Sequence, residues 1–235
     1  MSHYGAILWK QWKDIFRNKT ILIQFVMFPV LTVIMENAVK LEGMPEHFFA
    51  CLFGVMYLGM APFTSVAAVI SEEKEKRTLR ALLMANVKPA EYLCGITTVI
   101  WIICLLGAVV IAVAGDFEGA ALGRFIGIMA VGVTLSCLMG AVVGTMSRNQ
   151  MEATSVTVPV MMVFSFLPML AMFNEGIEKI AKFTYTGQIH RMLGNLNAEP
   201  VTAEWISAEP VLVIAGNMIL AVVLFAVFYR RTGLE

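Results

Sequence analysis

Charge is scarce in this chain. Only 14% of its 235 residues are Asp, Glu, Lys or Arg and 59% are hydrophobic, against roughly 25% charged and 45–50% apolar in soluble domains. Water is thereby excluded as the main solvent of the fold. Neither sign is in excess, since 17 basic residues stand against 17 acidic ones, which removes the general field that draws a protein to nucleic acid. The four cysteines, Cys51, Cys94, Cys104 and Cys137, lie in or beside apolar runs, and none falls at a C-x-x-C or metal-ligand spacing. They read as small lipid- or core-facing residues. Hydrolase chemistry inside a membrane lacks its parts: His3, His47 and His190 are scattered, and the sequence has neither an H-E-x-x-H pair nor a G-x-S-x-G serine motif. A G-x-x-x-x-G-K-[ST] phosphate-binding loop is missing as well.

Long apolar runs are what the sequence has in quantity. A membrane-crossing helix takes about 20 mostly apolar residues, and six runs meet that need, at 20–39, 48–70, 90–114, 121–146, 152–173 and 211–229. The expected fold is an all-α integral membrane protein with six transmembrane helices, arranged as a single transmembrane domain over 1–235. The connections leave no room for a soluble domain. The polar, aromatic and basic start of the chain does not read as a cleavable signal, so the first span is expected to stay as an anchor.

Lys and Arg near span ends mark the cytoplasmic side. Lys10, Lys13, Arg17, Lys19, Lys74, Lys76, Arg77, Arg80, Lys88, Arg148, Arg230 and Arg231 fall on one side and only Lys40, Arg124, Lys179, Lys182 and Arg191 on the other. Both termini are expected in the cytoplasm.

Three segments are not simple spans. Over 1–19, Tyr4, Ile7, Leu8, Trp12, Ile15 and Phe16 recur at helical steps among Lys10, Lys13, Asp14 and Arg17, which predicts an amphipathic helix in the membrane interface. The 71–88 loop opens densely charged. Leu79, Leu82, Leu83 and Val87 then share one face of a helix too short to span. That face suits a protein partner or a lipid surface equally well. The 174–210 segment carries Ile177, Ile180, Phe183, Tyr185, Ile189, Met192 and Leu193, too apolar for an open loop, and is expected to form short external helices that dip into or cap the outer leaflet. Gly119, Gly123, Gly127, Gly140 and Gly144 suggest close helix packing in the fourth span.

This order of amphipathic leader, six spans, charged loop with a short apolar-faced helix and apolar external segment resembles the type-2 ABC transporter permeases. The sharpest likeness is Glu73, Lys74, Glu75, Thr78, Leu79, Leu82, Leu83, Pro89, Glu91 and Gly95; Arg77 departs from a frequent glycine and Asn86 from a common proline. The resemblance implies the membrane subunit of a bacterial exporter in the plasma membrane, with a second permease subunit and a separate ABC ATPase as partners. The chain itself would be no enzyme and hold no cofactor, with ATP and Mg on the ATPase. It further implies a coupling helix in the loop, for which Glu75, Arg77, Thr78, Leu79, Leu82 and Leu83 are the candidate residues.

Polar residues inside spans are the candidates for a pathway: Gln24, Thr64, Ser65, Thr154, Ser155, Thr157, Ser165 and Asn217. Hydrogen bonding within or between helices is the alternative use of each. The substrate expected is a drug, an antimicrobial peptide or a lipid-like molecule. Two other functions stay open on sequence grounds: an ion-coupled secondary transporter, for which Glu36 and Glu152 lie near span ends where water can reach them, and a non-transporting sensor or immunity subunit.

Overall fold

A bilayer offers backbone groups no water, so an apolar chain that crosses it must satisfy its own N–H and C=O groups in helices. The computed structural model describes residues 3–39, 45–78, 89–196 and 208–232, and among them every regular element is helical. In chain order these are α1 (His3–Arg17), α2 (Lys19–Ala38), α3 (Phe48–Glu75), α4 (Pro89–Ala114), α5 (Gly119–Met146), α6 (Gln150–Ala171), α7 (Glu175–Ala181), α8 (Tyr185–Gly194) and α9 (Ala208–Thr232). The six long apolar helices α2, α3, α4, α5, α6 and α9 are each able to cross a membrane. They match the six sequence runs to within a few residues, except that α3 continues through the charged stretch to Glu75.

α3 is the axis of the bundle. Its apolar window is 83% buried, whereas those of α6 and α9 are 22% and 6% buried and turn mostly outward. α2, α4, α5, α6 and α8 all pack on it. Small residues set how close they come. A Cβ on Gly59 would fall 2.7 Å from Ser165 Oγ and 2.8 Å from its backbone nitrogen, and one on Gly144 would fall 2.9 Å from Ile70 Cβ. Gly123 and Gly127 behave differently: no atom lies within 4 Å of a Cβ built there, so this half of the glycine pattern is not a packed face within the chain. It lines an apolar groove of about 690 Å³ beside α8 and α9.

The two short helices α7 and α8 are the elements expected between the last two spans. Asn174 and Thr184 cap them, accepting bonds from Gly176 N (2.8 Å) and Gly187 N (3.2 Å). α8 does more than rest on the bundle, because Tyr185, Thr186, Gln188 and Ile189 are all fully buried. Tyr185 hydrogen-bonds Ser136 of α5 at 2.8 Å and packs 5.1 Å from the ring of Phe164.

Gly59→Ala is expected to lower the stability of the detergent-purified protein by about 1–3 kcal/mol through overpacking, whereas Gly127→Ala, with open space around it, should match the native protein or gain a few tenths from helix propensity. Thermal unfolding of the two variants side by side checks this.

Candidate functional site

One end of the bundle gathers most of the described basic residues; here α1, the end of α3, the start of α4 and the α5–α6 turn meet. Successive helix residues point about 100° apart, so three neighbours can reach three different partners, and Glu73, Lys74 and Glu75 do so. Glu73, only 7% exposed, accepts from Lys10 Nζ at 2.5 Å and Gln11 Nε2 at 2.8 Å, both on α1. Tyr92 of α4 faces the same carboxylate, although neither its hydroxyl nor Glu73 Oε2 completes a hydrogen bond among the described residues. Lys74 donates to the carbonyl of Thr145 at 2.7 Å, placing a cation at the negative end of α5. Glu75 accepts from Gln150 N at 2.9 Å, placing a carboxylate at the positive end of α6. α1 comes this close to α4 because position 95 is glycine, where a Cβ would fall 2.5 Å from Ile7 Cγ2.

Beyond Glu75 the chain turns at Arg77, whose φ of 56° is left-handed. This is where the resemblance calls for glycine, and the reason is conformational: a Cβ is strained there and its absence is not. Thr78 Oγ1 donates to Glu73 O at 3.2 Å and closes the helix end. Glu75, Arg77 and Thr78 are exposed at the point where the loop leaves the bundle. The remaining coupling candidates, Leu79, Leu82 and Leu83, lie outside the described residues, as do Val87 and Asn86.

A second feature opens beside this end. Gln24, Thr64, Thr154 and Thr157 line one cleft of about 290 Å³ between α2, α3 and α6, with Glu72 and Gln150 at its basic end. Thr64 donates to Gln24 Oε1 at 2.5 Å, and Thr154 bonds back to Gln150 O at 2.8 Å. Thr157 is 5% exposed, and its hydroxyl has no partner among the described residues. The other polar candidates lie elsewhere. Ser155 bonds Met151 O within its own helix, and Ser165 reaches Met56 O of α3 at 3.3 Å. Ser65 is buried outside the cleft, and Asn217 ties α9 to the turn before α8 through Phe183 O at 3.1 Å.

The carboxylates weighed for ion coupling have structural employment. Glu36 accepts from Ala50 N at the start of α3 (2.8 Å), and Glu152 accepts from Arg148 N before α6 (2.7 Å), where Asn149 is the cap. Both sit where a helix N-terminus favours negative charge. Sequence reasoning missed the Glu73 anchor and its partners Lys10, Gln11 and Tyr92. The signal available was a glutamine on the apolar stripe of the leader, a polar residue that burial obliges to find a partner.

An all-helical bundle with six membrane-long helices defines a multi-pass membrane protein. The family described as ABC-2 family transporter protein matches residues 6–230, and the chain belongs to that family. A comparison with curated proteins finds no match. Membership makes the chain an ABC transporter permease subunit, and the family implies an ABC ATPase subunit as partner.

Two outcomes follow. Arg77→Gly should raise stability by about 1 kcal/mol by relieving the left-handed strain, while Arg77→Ala, which keeps a Cβ, should not; thermal unfolding of both separates backbone from charge. At the opposite end, His190 lies in a pocket of about 300 Å³ with Glu178, Lys182 and Arg191, its Nδ1 buried without a partner among the described residues. Burial lowers its pKa from the ordinary 6.5, so the folded segment binds fewer protons than the unfolded one. The stability it confers is complete above about pH 6.5 and is lost as pH falls through the lowered folded value. Amide exchange over 185–194 should therefore quicken between pH 7.5 and 5 in the native protein, and less so in His190→Gln.

Proposed function

We propose that this chain is the membrane subunit of an ATP-driven exporter in a bacterial plasma membrane, with the basic end and both termini in the cytoplasm. The observation that carries this reading is the cleft of Gln24, Thr64, Thr154 and Thr157 beside the base of the 79–88 segment. A polar recess in an otherwise apolar bundle, with a buried hydroxyl unpaired among the described residues, is costly unless a ligand or a second protein surface completes it. α2 and α6, which flank it, are among the least buried spans. A second permease subunit seated on their outward faces would enclose the recess and make a shared pathway.

The base of the loop supplies the mechanical link. An ABC ATPase holding ATP and Mg docks on the 71–88 loop, with Leu79, Leu82 and Leu83 as anchors and Glu75, Arg77 and Thr78 at the rim. Motion of that loop reaches the bundle through Glu73, Lys74 and Glu75, because these residues grip α1, α5 and α6 at the point where the loop departs. The cleft's hydroxyls and amide with apolar surroundings suit an amphipathic cargo such as a drug, a peptide or a lipid-like molecule. Ion-coupled transport is disfavoured by the capping duties of Glu36 and Glu152.

Co-purification with the ATPase encoded beside it tests the reading. The native chain should form a stable complex and stimulate ATP hydrolysis in lipid. Leu82→Glu plus Leu83→Glu should abolish association, whereas Thr157→Val should keep association and alter only cargo-dependent stimulation. Failure of the native chain to bind any such ATPase would overturn the proposal.

A further inference from the structure

α1 is a helix with three faces. At about 100° per residue, Ile7, Gln11 and Ile15 fall within an arc of about 80°, and they are buried at 4%, 1% and 1% exposure against the bundle. Trp9, Trp12 and Phe16 occupy the far side and remain 71%, 39% and 51% exposed. The rings of Trp12 and Phe16 stand 5.0 Å apart, so the ridge is nearly continuous. Lys13 and Arg17, one turn apart and exposed, flank the third face; neither is in an ion pair among the described residues.

Three large rings left on a surface call for an occupant, and the depth of the helix selects it. Asn18 alone separates α1 from the span α2, and its side chain caps that span by accepting from Thr20 N at 3.2 Å and Ile21 N at 3.3 Å. A span that starts without a linker holds α1 at the membrane boundary, where indole rings favour the layer between headgroups and acyl chains. Unpaired cations beside the rings complement lipid phosphates, and more strongly those of lipids with net negative charge.

We propose that this flank of α1 is a binding surface for anionic phospholipid: Trp9, Trp12 and Phe16 enter the headgroup boundary, and Lys13 and Arg17 take the phosphates of lipids gathered around them. The opposite face of the same helix carries Gln11, whose amide holds Glu73, so the lipid seat and the base of the loop share one rigid element. This rests only on α2 crossing the membrane and is independent of the ATPase reading.

The test uses the full chain with Trp101→Phe and Trp205→Phe, which leaves Trp9 and Trp12 as the fluorophores of the four tryptophans. It is placed in phosphatidylcholine nanodiscs holding an equal minor fraction of brominated phosphatidylglycerol or brominated phosphatidylcholine. Quenching by the anionic lipid should be about twofold deeper or more at low salt. Lys13→Glu plus Arg17→Glu should remove the difference while leaving quenching by phosphatidylcholine in place, and detergent unfolding of that variant confirms its fold. Equal quenching by the two lipids overturns the choice of anionic lipid. Absence of quenching by both overturns lipid as the occupant and leaves a protein surface on the ridge.

Discussion

A carboxylate buried among apolar helices must be compensated, since removing it from water costs several kcal/mol. Glu73 is in that position, and the basic end is arranged around its needs. Lys10 and Gln11 meet one of its oxygens from α1, which obliges the amphipathic helix to dock with its glutamine inward and its tryptophans outward. Gly95 then has to be small so that α1 can approach α4. Because Glu73 points at α1, the helical geometry turns Lys74 and Glu75 toward the ends of α5 and α6. The loop that follows therefore departs from a point tied to three other helices.

Polarity elsewhere is used sparingly, much of it at helix ends or in ties between helices. Glu36 and Glu152 finish the N-termini of α3 and α6. Asn217 holds α9 to the turn before α8, and Ser136 anchors Tyr185. The cleft of Gln24, Thr64, Thr154 and Thr157 differs from these, because it brings polar side chains from three helices to one recess.

Close packing does the rest. α3 can be surrounded because glycines at 59, 140 and 144 bring α6 and α5 against it, and dispersion between such well-fitted helices replaces the hydrophobic drive that lipid does not supply. The same residue type at 123 and 127 leaves a groove instead. Glycine permits close approach but does not select the partner.

The six spans, the amphipathic leader and the short helices before α9 were readable directly from the order of residues. A bilayer imposes a length on every apolar run, and helical periodicity shows in the leader without reference to any contact. The likeness carried by Glu73, Lys74, Glu75 and Thr78 was visible in the same way, as was the oddity of Arg77 in place of glycine. Which candidates belong together was not. Gln24, Thr64, Thr154 and Thr157 come from three helices, and their meeting depends on crossing geometry that no local pattern encodes. Tyr185 belongs to a segment expected to dip into or cap the outer leaflet, and it and Gln188 are buried because α8 packs against α3, α5 and α6. Glu73, one charge among many in a charged stretch, became the anchor of its end of the bundle only through neighbours some 60 and more residues away in the chain. Long-range pairing of this kind is decided by how helices pack, and that is settled in three dimensions.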